Sequence, residues 1–257
     1  MNYTVSHFIR VVMGLAKCQF ILRYRNAMLG FFWAVGEPFM FLGVLSIVFA
    51  QINKQPLAEY ALYLFSGLIP WKFLESTTLN GMESIVGGRW LLTQMDTPAV
   101  TFPCVSTVIG VWDLLCTFAV GSVFFLLLGT PAGGPLLVLP FAFLVWLVLA
   151  NGLAILSATI FVFVRDIKPI VQMGLMLLFF SSIILNMESN IDPHSLYGQL
   201  LRFHPMTSFA HLFQDPLYWK RFPSRADWLI SSGIAAGVWL CSAAFLRRVR
   251  SKIYFYL

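Results

Sequence analysis

Apolar and polar positions alternate along the chain on two length scales. Near the start, residues 5–22 repeat at helical spacing. Ser6, His7, Arg10, Gly14 and Lys17 are set off from Val5, Phe8, Ile9, Val12 and Ala16. This pattern predicts an amphipathic helix lying in the headgroup plane, basic on one side. Beyond it come long apolar runs at residues 30–50, 60–78, 106–128, 136–164, 169–187 and 228–246. About 20 residues at 1.5 Å rise cross a hydrocarbon core, so each run is read as a membrane span and the fourth as long enough to tilt or project.

Charge fixes the expected orientation. Residues 1–29 hold Arg10, Lys17, Arg23 and Arg25 without an acid, and residues 247–257 hold Arg247, Arg248, Arg250 and Lys252, also without one. Basic residues beside apolar runs mark the cytoplasmic side, so six spans place both termini there, with Arg23 and Arg25 as interface anchors. The expected fold is an all-α membrane protein forming a single permease-like domain over residues 1–257. It comprises an interface helix (1–29), a six-span core (30–246) and a cytoplasmic tail (247–257). Residues 51–59 and 129–135 then face out, and residues 80–105 and 165–168 face in. The outer segment 188–227 is too long for a turn. Its apolar patches at 196–203 and 209–213, parted by His204-Pro205, predict two short helices re-entering the membrane between spans five and six.

Composition supports this class. The 257 residues are 59% hydrophobic and only 11% charged, against roughly 25% charged in soluble domains. The net charge of +6 sits beside apolar spans, which argues against nucleic acid as a partner. Cys18, Cys104, Cys116 and Cys241 are scattered and read as reduced apolar filler. No cleavable signal peptide is expected.

Candidate chemistry is sparse. The chain lacks GxxxxGK[ST], GxSxG and HExxH, and His7, His194, His204 and His211 show no metal-ligand spacing. No catalytic, cofactor-binding or metal residue is expected. Ionisable groups inside the apolar runs are more informative, because a charge at a membrane-helix centre costs about 2.5–3.5 kcal/mol on insertion scales. Lys72 and Glu75, three residues apart, read as neutralising each other. Asp113 either pairs with a neighbouring helix or faces a hydrated cavity. Glu37 adjoins Pro38, which kinks its helix. Its carboxylate either holds that joint by local hydrogen bonds or faces a polar path. Trp33 and the other interfacial rings form an aromatic belt, and rings also stack on sugar C–H faces.

The stretch RYRNAMLGFFWAVGEP resembles the opening of the first span in permease subunits of bacterial surface-polysaccharide ABC exporters. YLFSGLIPWKF, FVFVRDIKPIVQMGL, FHPMTSFAHLFQDPLY and the tail RRVRSKIYFYL agree in order and spacing. Glu37-Pro38 looks most like the capsular-polysaccharide branch. O-antigen or teichoic-acid export is the alternative, and a drug or lipid exporter or an intramembrane glycosyl- or acyltransferase is more remote.

The resemblance implies a transport subunit of the bacterial inner membrane, not an enzyme. It implies a homodimer with two copies of a P-loop ATPase that carries the ATP-Mg, so that no cofactor is bound by this chain. The cargo would be a lipid-linked polysaccharide. In the capsule case, periplasmic and outer-membrane export proteins would join. Trp33, Glu37, Pro38, Asp113, His204 and Pro205 would line the path or its outward gate. Glu83, Arg89, Arg165 and Asp166 would couple to the ATPase. The 165–168 turn reads equally as a positive-inside anchor with Asp166 capping the next helix.

Overall fold

The structure is a computed structural model that describes residues 5–25, 32–94, 97–127, 133–192 and 194–256. Every regular element among the described residues is a helix, in the order α1 (Val5–Arg25), α2 (Phe32–Ile52), α3 (Leu57–Gly87), α4 (Arg89–Gln94) and α5 (Thr101–Leu127). A 3-10 turn (Gly134–Val138) leads into α6 (Leu139–Phe163). Then follow α7 (Ile167–Phe180), α8 (Leu196–Phe203), α9 (Pro205–Gln214), a π turn (Asp215–Trp219) and α10 (Arg225–Tyr256). The expected starting point of the first span, Gly30, and most of the expected outer loop 129–135 lie outside the described residues.

Among the described residues, five helices are long and apolar enough to cross a membrane, over Val5–Arg23, Val35–Ile52, Thr101–Val123, Gly134–Phe163 and Arg225–Ile253. Two differences from the sequence reading follow. The first helix, expected at the interface, is among these five. The 31-residue α3 is not, because Glu59, Lys72, Glu75 and Glu83 lie along it. Its polarity is tolerated because α3 is the central helix, packed on α6, α5, α2 and α9. Tyr60, Leu64, Leu68, Trp71 and Leu74 of α3 are almost fully buried.

Helix α3 also outruns its expected end at residue 78. Thr77, Thr78 and Asn80 end the apolar run but not the helix, which continues to Gly87. Most of the expected cytoplasmic loop is therefore helical. Leu92 of α4 joins Ile85, Phe102, Ile155, Ala158, Leu246 and Ile253 in a second apolar cluster at that end. At the same end, α10 carries the expected tail as far as Tyr256 in one unbroken helix.

The expected fifth span is corrected most. Only Ile167–Phe180 is helical, 14 residues or about 21 Å, short of a hydrocarbon core. Ser181 Oγ donates to Leu177 O at 2.6 Å and Ser182 Oγ to Phe179 O at 2.7 Å, local side-chain bonds that compete with continuing the helix, and Ser182 N bonds Phe179 O at 3.2 Å in a tightened last turn. Residues 183–187 then run irregular and, except for half-buried Asn186, buried, with Ile183, Ile184 and Leu185 each at most 2% exposed. Such backbone needs partners from elsewhere. Tyr60 Oη donates to Leu185 O (2.6 Å), and Tyr63 Oη donates to Ile183 O and to Asn186 O (3.2 Å). Asn53 Nδ2 donates to Leu185 O (3.2 Å), while Met187 N donates to Asn53 Oδ1 (3.1 Å).

The two short helices expected between residues 188 and 227 are present. Ser195 caps α8 by accepting from Gly198 N at 3.0 Å, and Pro205 occupies the first turn of α9, so the chain breaks at His204-Pro205. Phe209, Leu212 and Phe213 bury α9 in the main core, where Trp146 Nε1 donates to Phe209 O at 3.1 Å.

Candidate functional site

A cavity of about 580 Å³ opens between the end of α1 and the helices α2, α3 and α5. Trp33, Glu37 and Pro38 of α2 and Asp113 of α5 all line it, so four of the six expected path residues converge there. Trp33 and Glu37 are one helical turn apart, which puts the ring and the carboxylate on one face. Pro38 lies within α2 and withholds one backbone donor from the preceding turn.

Two ion pairs frame the wall. Arg23 Nη1 donates to Asp113 Oδ2 at 2.9 Å, joining α1 to α5. Lys72 Nζ donates to Glu75 Oε2 at 2.8 Å, and the ammonium also lies 4.4 Å from the centre of the Phe41 ring. Asp113 thus does both things open to it, pairing with a neighbour and lining a cavity. Arg23, expected only as an interface anchor, is a cavity residue. Arg25, the other anchor, is exposed at the end of α1 and does not line it. Glu37 is exposed and has no hydrogen-bond or ion-pair partner among the described residues. Among the described residues no local hydrogen bond holds it, and its carboxylate lines the cavity.

His204 and Pro205 are elsewhere. His204 Nε2 lies 2.9 Å from Ser181 Oγ, tying the α8–α9 elbow to the end of α7.

The expected coupling residues gather at the opposite end of α3 from that elbow. Lys168 Nζ pairs with Glu83 Oε1, bringing the 165–168 turn against the end of α3. Arg89, Arg165 and Asp166 are exposed at the same end. Asp166 holds the position before α7 but makes no side-chain capping bond, so the capping role is not realised.

One cluster escaped the sequence reading. His211 of α9 lies between two carboxylates, with Nδ1 3.3 Å from Asp227 Oδ1 and Nε2 3.5 Å from Glu188 Oε2. The second contact is an ion-pair separation, too long for a good hydrogen bond. Asp215 is buried and takes Arg221 at 2.9 Å. The only sequence signal was the density of acids and histidines between residues 188 and 227.

Burial pushes the His211 pKa down, but Asp227, Glu188 and Asp215 together outweigh it and raise it from 6.5 to about 9. A raised folded-state pKa gives stability that is complete below 6.5 and lost as pH climbs through about 9. The thermal midpoint of the purified protein should therefore fall between pH 7 and 10, by up to about 3 kcal/mol of stability. His211→Gln should flatten that profile. An unchanged slope in the variant would remove His211 as its origin.

No family model matches the chain. Relatives are found along almost its whole length. This chain is similar to O-antigen export permeases. It is 27% identical over 243 residues to the O-antigen export system permease protein RfbA of Myxococcus xanthus, covering 93% of this chain and 92% of that protein. It is 24% identical over 216 residues to a protein of the same name from Klebsiella pneumoniae, covering 84% and 83%. A second from Klebsiella pneumoniae is 22% identical over 209 residues, covering 81% and 80%.

Proposed function

We propose that this chain is the membrane-spanning permease subunit of an ATP-driven polysaccharide exporter in a bacterial inner membrane. The observation that carries the reading is the similarity to named export permeases over 81% to 93% of the chain. ATP-Mg is held by a separate P-loop ATPase, two copies of which serve two copies of this chain. All three relatives are named for O-antigen, which favours O-antigen over the capsular cargo suggested by Glu37-Pro38. The cargo is a lipid-linked glycan, and the cavity beside Trp33, Glu37 and Asp113 forms part of its path. In this reading the chain crosses the membrane six times, α3 being one crossing and α7 completing another together with the buried irregular segment that follows it. Helix α1 lies at the cytoplasmic interface, and the α8–α9 elbow at His204-Pro205 forms the outward gate.

Co-purification tests this reading. A stoichiometric P-loop ATPase whose hydrolysis is stimulated by lipid-linked glycan is the expected result. A stable permease with no ATPase partner would overturn it.

Coupling residues give a second prediction. The Glu83–Lys168 pair is exposed, so its loss should cost about 1 kcal/mol or less. If the ATPase docks on this end, Glu83→Lys and Lys168→Glu should each lower glycan-stimulated hydrolysis severalfold at normal protein levels, and the double exchange should restore it. Asp166→Ala should impair export in the same way. Full coupling in all three single variants would place the docking surface elsewhere.

A further inference from the structure

The cavity's charges can be paired off one by one. Arg23 is engaged by Asp113 and Lys72 by Glu75, both through direct contacts. Residues 26–31, which connect α1 to α2 in sequence, contain no ionisable side chain. What is left over is Glu37, so the lining carries one more negative charge than positive ones. Its carboxylate shares a face of α2 with the Trp33 ring, and Ser76, Asn80 and Thr117 add neutral polar groups to the same wall.

We propose that Glu37 makes this cavity selective for an uncharged, hydroxyl-rich glycan segment and against acidic sugars. This rests on the exporter reading above and specifies the cargo at the same site. A carboxylate accepts hydrogen bonds from neighbouring sugar hydroxyls, with two oxygens to offer, and it donates none. The indole beside it suits the C–H face of a pyranose ring. A uronic acid in the same place sets carboxylate against carboxylate. Neither cation relieves that repulsion without leaving its own partner exposed to the same field. Glu37 is therefore a discriminator of glycan charge, a role its position in an apolar run does not reveal.

The test uses the full permease–ATPase complex in lipid nanodiscs with Ser76→Cys as a reporter on the cavity wall. Labelling of that cysteine by N-ethylmaleimide is followed by mass spectrometry of its peptide, which separates it from the four native cysteines. The probes are a short dextran oligosaccharide and its carboxymethylated form. The neutral probe should slow labelling, and the anionic one should need about tenfold higher concentration for equal protection, as for one unit charge in a wet cavity. Adding Glu37→Gln should bring the two concentrations together, and Glu37→Lys should reverse their order. Equal protection in the parent complex, protection by neither probe, or an unchanged ratio in Glu37→Gln would each overturn the proposal. An ATPase that co-purifies and responds to lipid-linked glycan alongside any of these results would leave the exporter reading standing. Absence of the ATPase would remove that reading first.

Discussion

Gly152→Leu should yield little or no folded protein. A Cβ at Gly152 would lie 3.0 Å from the Trp239 backbone Cα and 3.1 Å from its nitrogen, so α6 and α10 meet almost backbone to backbone. Ser242 Oγ seals the same crossing by donating to Gly152 O at 2.8 Å. Small residues allow this approach, and tight packing is what holds membrane helices together where lipid tails compete for apolar contact. Overpacking by a few methylenes costs about 1–3 kcal/mol when side chains can yield. Here the obstacle is main chain, so the helices themselves must part. Gly81→Leu should act similarly, because its Cβ would fall 2.5 Å from Ala154 Cβ and 3.1 Å from Ala154 Cα. Gly174→Leu is the control, with nothing within 4 Å of its Cβ. Monodispersity in detergent and the thermal midpoint report the outcome. A Gly152→Leu protein that melts with the parent would show that the crossing is looser than this.

The second large effect is expected at Asn53. Its side chain donates to Phe49 O at 2.9 Å and to Leu185 O at 3.2 Å, and it accepts from Met187 N at 3.1 Å. Its own carbonyl takes Asn190 Nδ2 at 2.9 Å. Asn53→Leu is similar in size but strands the Met187 amide and weakens the support of Leu185 O. Each unsatisfied buried group costs about 1–3 kcal/mol, so a total of about 2–5 kcal/mol is expected. Tyr63→Phe should cost less, since it removes one hydroxyl that serves Ile183 O and Asn186 O. Limited proteolysis should find residues 183–190 newly cleavable in Asn53→Leu at temperatures where the parent resists. Continued resistance would mean that apolar burial alone holds this segment.

These two sites also show where the sequence stopped being readable. Apolar runs located α2, α5, α6 and α10, and His204-Pro205 located the α8–α9 break, because those signals are local. The end of α7 was not local. Ser181 and Ser182 sit in an apolar run that looks able to continue. The irregular backbone after them is viable only because Asn53, Tyr60 and Tyr63 arrive from more than 100 residues away. The far reach of α3 was hidden for another reason: hydropathy measures fitness for lipid, and α3 mostly faces other helices.

The candidate site divides in the same way. Trp33 and Glu37 share a face by spacing alone, but that this face lines a cavity appears only in the fold. Arg23 meets Asp113 across 90 residues of chain, and no periodicity announces the pair. Glu83 was read as a coupling residue and Lys168 only as part of the inward-facing 165–168 turn, and their direct contact appears only in the fold. His211 was set aside for want of metal spacing, yet its partners are carboxylates on separate elements.

Helix α3 has a mechanical consequence. It holds Tyr60 and Tyr63 at one end, Lys72 and Glu75 on the cavity wall, and Glu83 at the other end, within one 31-residue rod. A rod cannot be pushed at one end without moving at the other, unless it bends. The one proline in α3, Pro70, lies between Tyr63 and Lys72 and withholds a backbone donor there. A thrust delivered at Glu83 would meet the cavity wall at Glu75 and Lys72 before it met Pro70. Beyond the wall the thrust either shears the tyrosines from the carbonyls they clasp or is spent as a bend at Pro70.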